Sequence, residues 1–367
     1  MKKIREVFAT AWLATAAVAG SALADENKPA ASTSPSLSSL LDASGVTVHG
    51  YVAASYYHSN GYSTFHQFDV DHDTFQLDQT AVTLAYQPKE GFGALVNIGA
   101  GEDMRILHAA ENGDHNSFDL IQGFVQYAGG PITVIAGKYV SLAGAEVIPP
   151  TGNANFSRSL LFFAEPLTHT GVRVTYAASD AFSLIAGVNN GWNKTSTSYG
   201  SKTAELGVAF TPIKQLAMTA QAYLGKAPGF DAERRLVDLV TTYNATDALT
   251  LVLSYDWGRQ QQANGLADLN WNGLAGYINY AFSEKYCVSL RAEYLNDRDG
   301  YVTGSDQKLK EATLTFGIDP VKSFELRVEA RYDKSDRATF VRTIDTGGAP
   351  TLAGNQTGFA VQGVYKF

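Results

Sequence analysis

The sequence has little cysteine and little charge. Cys287 is the single cysteine among 367 residues, which excludes an internal disulfide and any cysteine-based metal or haem site. Charged residues make up 17% of the chain, below the ~25% that is usual for soluble proteins. The formal net charge is −8, and an acidic chain lacks the basic footprint of a nucleic-acid-binding protein. No nucleic-acid partner is therefore expected.

The N-terminal segment has the pattern of a secretory signal. Basic residues at positions 2, 3 and 5 precede an apolar stretch, and "ALA" at 22–24 is a small-x-small cleavage pattern. The apolar stretch is too short to cross a bilayer of ~30 Å as a helix, which argues against a membrane anchor. We predict a signal peptide at 1–24, a flexible periplasmic lead-in at 25–45, and one folded domain at 46–367.

Long apolar runs are missing from the rest of the chain. None reaches the ~18 residues that a membrane-spanning helix requires. Glycine (34 residues), tyrosine (19) and phenylalanine (19) are abundant instead. An exported chain of this composition favours an all-β fold, the transmembrane β-barrel.

Alternation of apolar and polar residues supports that fold. In "FELRVEARY" at 324–332 the apolar side chains fall on one face of a strand and Glu or Arg on the other. Similar segments recur from residue 46 onward, as a lipid-facing, polar-inside strand requires. In the segment 74–87 the apolar phase changes between Leu77 and Val82, which predicts a β-bulge or a misplaced boundary.

Connectors of alternating length give the strand number. Seven short connectors alternate with eight long ones, which predicts about 16 antiparallel strands with short periplasmic turns and long extracellular loops. No proline is expected inside a strand, because its missing N–H would break the ladder. Such a barrel is wide enough for an aqueous channel. A large soluble β-sandwich or propeller is the alternative architecture.

The longest informative connector, residues 140–171, is the third long one. It contains "LLFF", which is poorly suited to water. Connectors of this length are usually functional or disordered. We expect this one to fold inward and narrow the pore, and an ordinary lid on the outer surface is the alternative.

A resemblance becomes visible in the same region. The segment from Gly137 through "SRS" at 157–159 and "EPLTHTG" at 165–171 resembles the OmpL-like β-barrel porins. The matching positions are Gly137, Lys138, Ser157, Arg158, Ser159, Glu165, Pro166, His169, Thr170 and Gly171. The resemblance implies an outer-membrane porin of Gram-negative bacteria, and it brings no catalytic residues.

Charged residues at predicted inward positions and in the third long connector are candidates for lining a constriction. They are Glu146, Arg158, Glu165, Arg173, Arg291, Glu293, Arg327 and Arg331. Facing clusters of charge set ion selectivity. Our hypothesis is that arginines of the 13th and 15th strands face acids of the connector across the lumen. The alternative is paired ion bridges along the wall, each worth little.

The expected function is passive diffusion of small hydrophilic solutes and ions, without catalysis, cofactor or metal. "DVDHD" at 69–73 alternates carboxylates, but it lacks the glycine and the bidentate glutamate of a calcium loop. A solute-specific channel is the first alternative. A barrel enzyme is the second, although no local motif arranges a catalytic constellation.

The C-terminal strand is expected to close the barrel. It should pair with the segment 46–57, because an open edge is not tolerated in a bilayer. Tyr365 and Phe367 would then face lipid at the periplasmic side and form the signal that the outer-membrane assembly machinery recognises. Outer-membrane lipid is the expected environment, and a homotrimer is among the assemblies that the sequence leaves open.

Overall fold

The computed structural model describes residue 41 and residues 43–197, 200–226, 232–262 and 266–367. The predicted signal peptide at 1–24 lies outside these residues, as does nearly all of the predicted lead-in at 25–45. The description below concerns the described ranges.

Sixteen strands of the described chain form one closed antiparallel barrel, which confirms the predicted architecture. Their bounds are β1 Thr47–Ser59, β2 Thr74–Tyr86, β3 Gly91–Ala100, β4 Phe118–Gly129, β5 Ile132–Val140, β6 Thr168–Ser179, β7 Phe182–Asn189, β8 Thr203–Ile213, β9 Leu216–Lys226, β10 Glu233–Asn244, β11 Leu249–Gln260, β12 Leu269–Ala281, β13 Tyr286–Asp297, β14 Gln307–Val321, β15 Phe324–Ser335 and β18 Asn355–Lys366. Two further strands, β16 Phe340–Ile344 and β17 Pro350–Ala353, form a separate hairpin between β15 and β18.

Burial alternates along the strands with period two. In β14, Leu314 and Phe316 are 52% and 39% exposed, whereas the neighbouring Thr313 and Thr315 are buried. Because successive side chains of a strand point to opposite faces, one face of the barrel is apolar and exposed and the other is polar and buried. This pattern confirms the apolar-out, polar-in reading of the strands.

Pairing between β1 and β18 closes the barrel, as predicted. Val52 lies opposite Tyr365 in this pair. Gly50 and Phe367 exchange two backbone hydrogen bonds, with N–O distances of 2.9 and 3.0 Å. Every barrel strand therefore has two neighbours, and no strand edge is left to the bilayer.

The connectors alternate in length as predicted. Those after the even-numbered strands from β2 to β14 have two to four residues, and the remaining connectors are longer. The second long connector holds helix α1 (Glu102–Asn112). The third, residues 141–167 and hereafter L3, holds a 3-10 turn (Pro150–Gly152) and the short helix α2 (Leu160–Ala164). Within the described ranges no helix is both long and apolar enough to cross a membrane.

The bulge predicted in the segment 74–87 is present. Ala53 pairs with Gln79 and Ala54 with Leu77, so the bulge lies at Asp78.

The expectation that no proline lies within a strand is wrong. Pro212 and Pro320 lie near the ends of β8 and β14, and Pro350 begins β17. The register shifts at both barrel positions, where a residue without an N–H breaks no regular ladder bond.

Candidate functional site

The apolar part of L3 packs against the buried face of the barrel wall. Leu160, Leu161 and Phe162 of "LLFF" are at most 4% exposed. The first two belong to one apolar cluster with wall residues that include Trp271 and Leu295. Burial of these leucines removes apolar surface from water, at roughly 1.5–3 kcal/mol for each fully buried side chain. The hydrophobic effect therefore favours the bound position of this connector.

Backbone N–H groups of L3 donate to carboxylates of the wall. Phe156 N and Ser157 N donate to the two carboxylate oxygens of Glu329 on β15, at 2.7 and 2.9 Å. Leu160 N donates to both oxygens of Glu293 on β13, at 3.0 and 2.9 Å. Leu160 N is one of the donors that the start of helix α2 leaves unpaired, and Phe156 N and Ser157 N lie in the stretch before it. Side-chain carboxyl oxygens of the wall accept from all three.

Arginines of the wall donate to carbonyl groups of the same stretch. Arg291 Nη1 bonds to the carbonyl of Ser157 at 2.8 Å, and Arg331 Nη1 bonds to the carbonyl of Arg158 at 2.7 Å. Arg327 Nη1 reaches the carbonyl of Asn155 at 3.5 Å. Residues 155–160 are thus bound mainly through their backbone, with acceptors and donors supplied by alternate polar side chains of β13 and β15.

Arg291 joins L3 to the wall by charge as well. It is 0% exposed, and its Nη1 lies 2.8 Å from Oε1 of Glu146 in L3. Its Nε lies 3.4 Å from Glu293 and 3.2 Å from Glu311 on β14. Removing one member of such a buried group leaves uncompensated charge and typically costs 3–5 kcal/mol. Arg291 is therefore the central contact of this interface.

The Arg158 side chain stabilises the conformation of L3 through hydrogen bonds within this connector. Its guanidinium donates to the carbonyls of Val147, Ile148 and Phe156, at 2.8–3.1 Å. It also lies over the ring of Phe162, 5.8 Å from the centroid. Burial lowers the pKa of Arg158, although Glu146 counteracts part of this effect. The side chain holds the turn at 147–156 in the form that presents residues 155–160 to the wall.

The remaining candidates lie apart from this interface. Arg173 on β6 pairs with Glu205 on β8 at 2.8 Å and covers the ring of Tyr139. Glu165 of L3 lies beside Asp238 on β10 and Asp256 on β11. Burial raises the pKa of the Glu165 carboxyl, and the Asp238 carboxylate raises it further.

All eight candidate residues are buried, with exposures of 0–7%. Arg291 is in direct contact with Glu146, whereas Arg327 and Arg331 pair with carboxylates of their own strand, Glu325 and Asp333, each at 2.8 Å. This arrangement agrees with the paired-bridge alternative more closely than with charges that face each other across open solvent. A role in lining the constriction stays a prediction.

Several important side chains were not singled out from the sequence. Glu311 contacts Arg291, and Glu111 of helix α1 is 2.5 Å from Lys138 on β5. Asp238 and Asp256 were also missed. Both lie at polar positions of strands in which apolar and polar residues alternate. A systematic assignment of the polar face would have identified the two residues, but it would not have shown that they are in contact.

A closed antiparallel barrel with an apolar outer surface, a polar buried face and a long connector bound to that face defines the class of the outer-membrane porins. Residues 45–367 match the family described as beta-barrel porin-2, OmpL-like, and the chain belongs to this family. The resemblance noted at 137–171 is thereby confirmed.

Solved structures share the fold at low sequence identity. Outer-membrane expressed OmpT of Vibrio cholerae is 14% identical with a TM-score of 0.61, over 88% of this chain and 97% of that chain. The anion-selective porin from Comamonas acidovorans is 14% identical with a TM-score of 0.61, over 88% and 99%. The outer membrane channel DcaP of Acinetobacter baumannii is 14% identical with a TM-score of 0.59, over 88% and 97%. No curated protein matches the sequence significantly.

Proposed function

We propose that this porin is a passive channel for small hydrophilic solutes and ions, and that L3 folds into its lumen and narrows it. The observation that carries the proposal is the binding of residues 155–160 to Glu293, Glu329 and the neighbouring arginines on the polar face of the wall. A 16-stranded barrel encloses more space than its own side chains fill. A connector held on the inner wall would therefore set the size limit for solutes.

Conductance of the purified protein tests this function. In planar bilayers we expect discrete steps of ionic current, and in liposomes we expect a swelling rate that falls as the neutral solute becomes larger. Liposomes without protein serve as the control. A correctly folded barrel that produces no current steps would contradict the proposal.

A solute-specific channel is a second candidate, and one cluster favours it. The Arg234 guanidinium lies over Trp192 and Tyr301, 4.9 and 5.4 Å from their ring centroids, and Tyr301 stacks on Trp271 at 4.0 Å. Stacked aromatic rings and a cation can hold a planar or anionic solute.

Substitution of Arg234 separates this candidate from general diffusion. For a solute-specific channel, Arg234→Gln should abolish current block by the preferred solute. It should leave the ionic conductance in plain salt within about a factor of two, since the hydrogen bond of Arg234 goes to Gln260 on β11. Arg235→Gln is the matched control, because that side chain is 45% exposed and pairs with Glu233. Equal block of both variants and the unmodified protein would reject a specific site at this cluster.

We also propose that the protein has no catalytic activity. Membership of a porin family supports a channel, and the resemblance at 137–171 carries no catalytic residues. Protease and phospholipase assays on the folded barrel test this point, and turnover above that of heat-unfolded protein would count against it.

We propose the outer membrane as the location, after cleavage of the signal peptide at 1–24. The exposed apolar belt would contact lipid, and Tyr365 and Phe367, 48% and 59% exposed, would be recognised by the assembly machinery. A homotrimer is the proposed assembly, supported by a 13% identical structure of Vibrio cholerae OmpT that is described as a trimer form. Light scattering of the detergent-solubilised protein measures the mass directly.

A further inference from the structure

Three buried carboxylates meet where L3 contacts β10 and β11. One oxygen from each of Glu165, Asp238 and Asp256 lies within 4.8 Å of the other two. Asp238 and Asp256 are opposite one another in the pairing of β10 with β11, and both are 0% exposed. Glu165 approaches them from L3 and is 6% exposed.

This cluster has no counter-charge among the residues that the structure describes. No lysine, arginine or histidine there lies within 4.0 Å of any of its carboxylates, whereas Glu111 has Lys138 and Glu205 has Arg173. All four oxygens of Asp238 and Asp256 are buried without a well-formed hydrogen bond, and no other carboxylate in the described part of the chain has both oxygens in this state. The backbone N–H of Gly144 faces the Asp238 carboxylate.

Buried carboxylates in this state need a positive partner. An isolated ionised carboxylate in a low-dielectric site is very costly, so such a group binds a cation or takes up a proton. Three oxygens within 4.8 Å of one another favour the cation, because one ion can satisfy all of them at once. The geometry of the cluster therefore points to a ligand.

The donor set selects the kind of cation. Three carboxylates offer up to six hard oxygen atoms and no nitrogen or sulfur, which disfavours Zn²⁺. Ca²⁺ takes six to eight oxygen ligands at 2.3–2.6 Å in flexible geometry, whereas Mg²⁺ requires near-ideal octahedral geometry and keeps several waters. A site built almost wholly from side-chain carboxylates fits Ca²⁺.

The L3 backbone at Gly144 lies close to the Glu165 carboxylate of this cluster. Gly144 has a φ of +81°, and a Cβ at that position would lie 2.0 Å from Oε2 of Glu165. Any other residue at this position would be strained at this φ and would displace the Glu165 carboxylate. The turn at Gly144 thus brings L3 backbone against the same group that faces Asp238 and Asp256.

We propose that Glu165, Asp238 and Asp256 bind one Ca²⁺ ion, which joins L3 to β10 and β11. This contact involves β10 and β11, whereas the Arg291 interface involves β13 and β15, so L3 would be held by two sets of strands. Binding itself depends only on the three carboxylates. Any effect of the ion on conductance rests on the proposed function of L3.

Calorimetry on the folded, full-length barrel tests the proposal. Protein refolded without lipopolysaccharide and stripped with a chelator should bind one Ca²⁺ per chain. The double substitution Asp238→Asn/Asp256→Asn should weaken this binding by about 100-fold or more, since ligand charge count sets Ca²⁺ affinity. Glu165→Gln should weaken it as well and leaves both strands unchanged, which keeps the test valid if the double variant does not fold.

A control variant leaves the three carboxylates in place. Asp71→Asn/Asp73→Asn removes two exposed carboxylates, 54% and 47% exposed, from the first long connector and should leave the binding unchanged. Absence of Ca²⁺ binding to the unmodified protein would overturn the proposal and assign protons to the cluster. Equal binding by the Glu165→Gln variant would also overturn it, because the ion would then lie at another site. Chelation should raise single-channel conductance. Unchanged conductance with intact binding would contradict the role of L3 in the pore and leave the site itself supported.

Discussion

Replacement of Arg291 by methionine is expected to release L3 and to raise the single-channel conductance severalfold. The substitution removes the contacts to Glu146 and to the Ser157 carbonyl, and it leaves Glu293 and Glu311 buried without their shared cation. A loss of ~3–5 kcal/mol lowers the ratio of bound to released connector by about 10²- to 4 × 10³-fold. Current recordings in planar bilayers measure the effect.

Two variants make this experiment specific. Arg235→Met removes an exposed arginine that pairs with Glu233, and it should leave the conductance unchanged, because exposed pairs contribute ~0–1 kcal/mol. Arg291→Lys retains the charge but not the forked geometry, so an intermediate conductance is expected. A folded Arg291→Met barrel with the original conductance would show that this interface does not hold the constriction.

Substitution of Phe367 by aspartate is expected to reduce the amount of assembled barrel by tenfold or more. A tenfold change corresponds to a loss of ~1.4 kcal/mol in the free energy of assembly. Phe367 exchanges two backbone bonds with Gly50, and its ring lies where a Cβ of Gly50 would be, 2.6 Å from Cζ. A charge at this position would weaken the pairing of β18 with β1 that closes the barrel. Heat-modifiable mobility of membrane extracts in electrophoresis reports the assembled fraction.

Phe282→Asp is the matched control, because Phe282 is also 59% exposed but lies in the turn between β12 and β13. A charge on the lipid-facing surface near an interface costs only ~0–1 kcal/mol, so this variant should assemble nearly normally. The Phe367→Asp barrels that do form should conduct as the unmodified protein does. Equal loss in both variants would mean that the aromatic belt, and not closure, decides assembly.

Much of the fold was predictable because its signals are local. "FELRVEARY" alternates without interruption, and the structure has β15 there from Phe324 to Ser335. Short connectors contain turn residues, so the strand number followed from their count. The prolines were harder to place, since Pro212 and Pro320 lie at register shifts that no short window of sequence reveals.

The site was less predictable because its contacts are distant in the chain. Phe156 and Glu329 are 173 positions apart, and Leu160 and Glu293 are 133 apart. Asp238 and Asp256 become neighbours only when the register of β10 with β11 is known, and a slip of one residue would move one of them to the lipid face. Sequence reasoning therefore found charged candidates, but it could not tell which would meet.

The backbone-mediated binding of residues 155–160 has a consequence for engineering. The N–H groups of Phe156, Ser157 and Leu160 donate to Glu329 and Glu293, so proline at any of these positions would remove one attachment of L3. The side chains of this stretch are buried, so replacing them would alter the packing of L3 as well. Proline substitution is therefore a way to loosen L3 while every charged side chain stays in place.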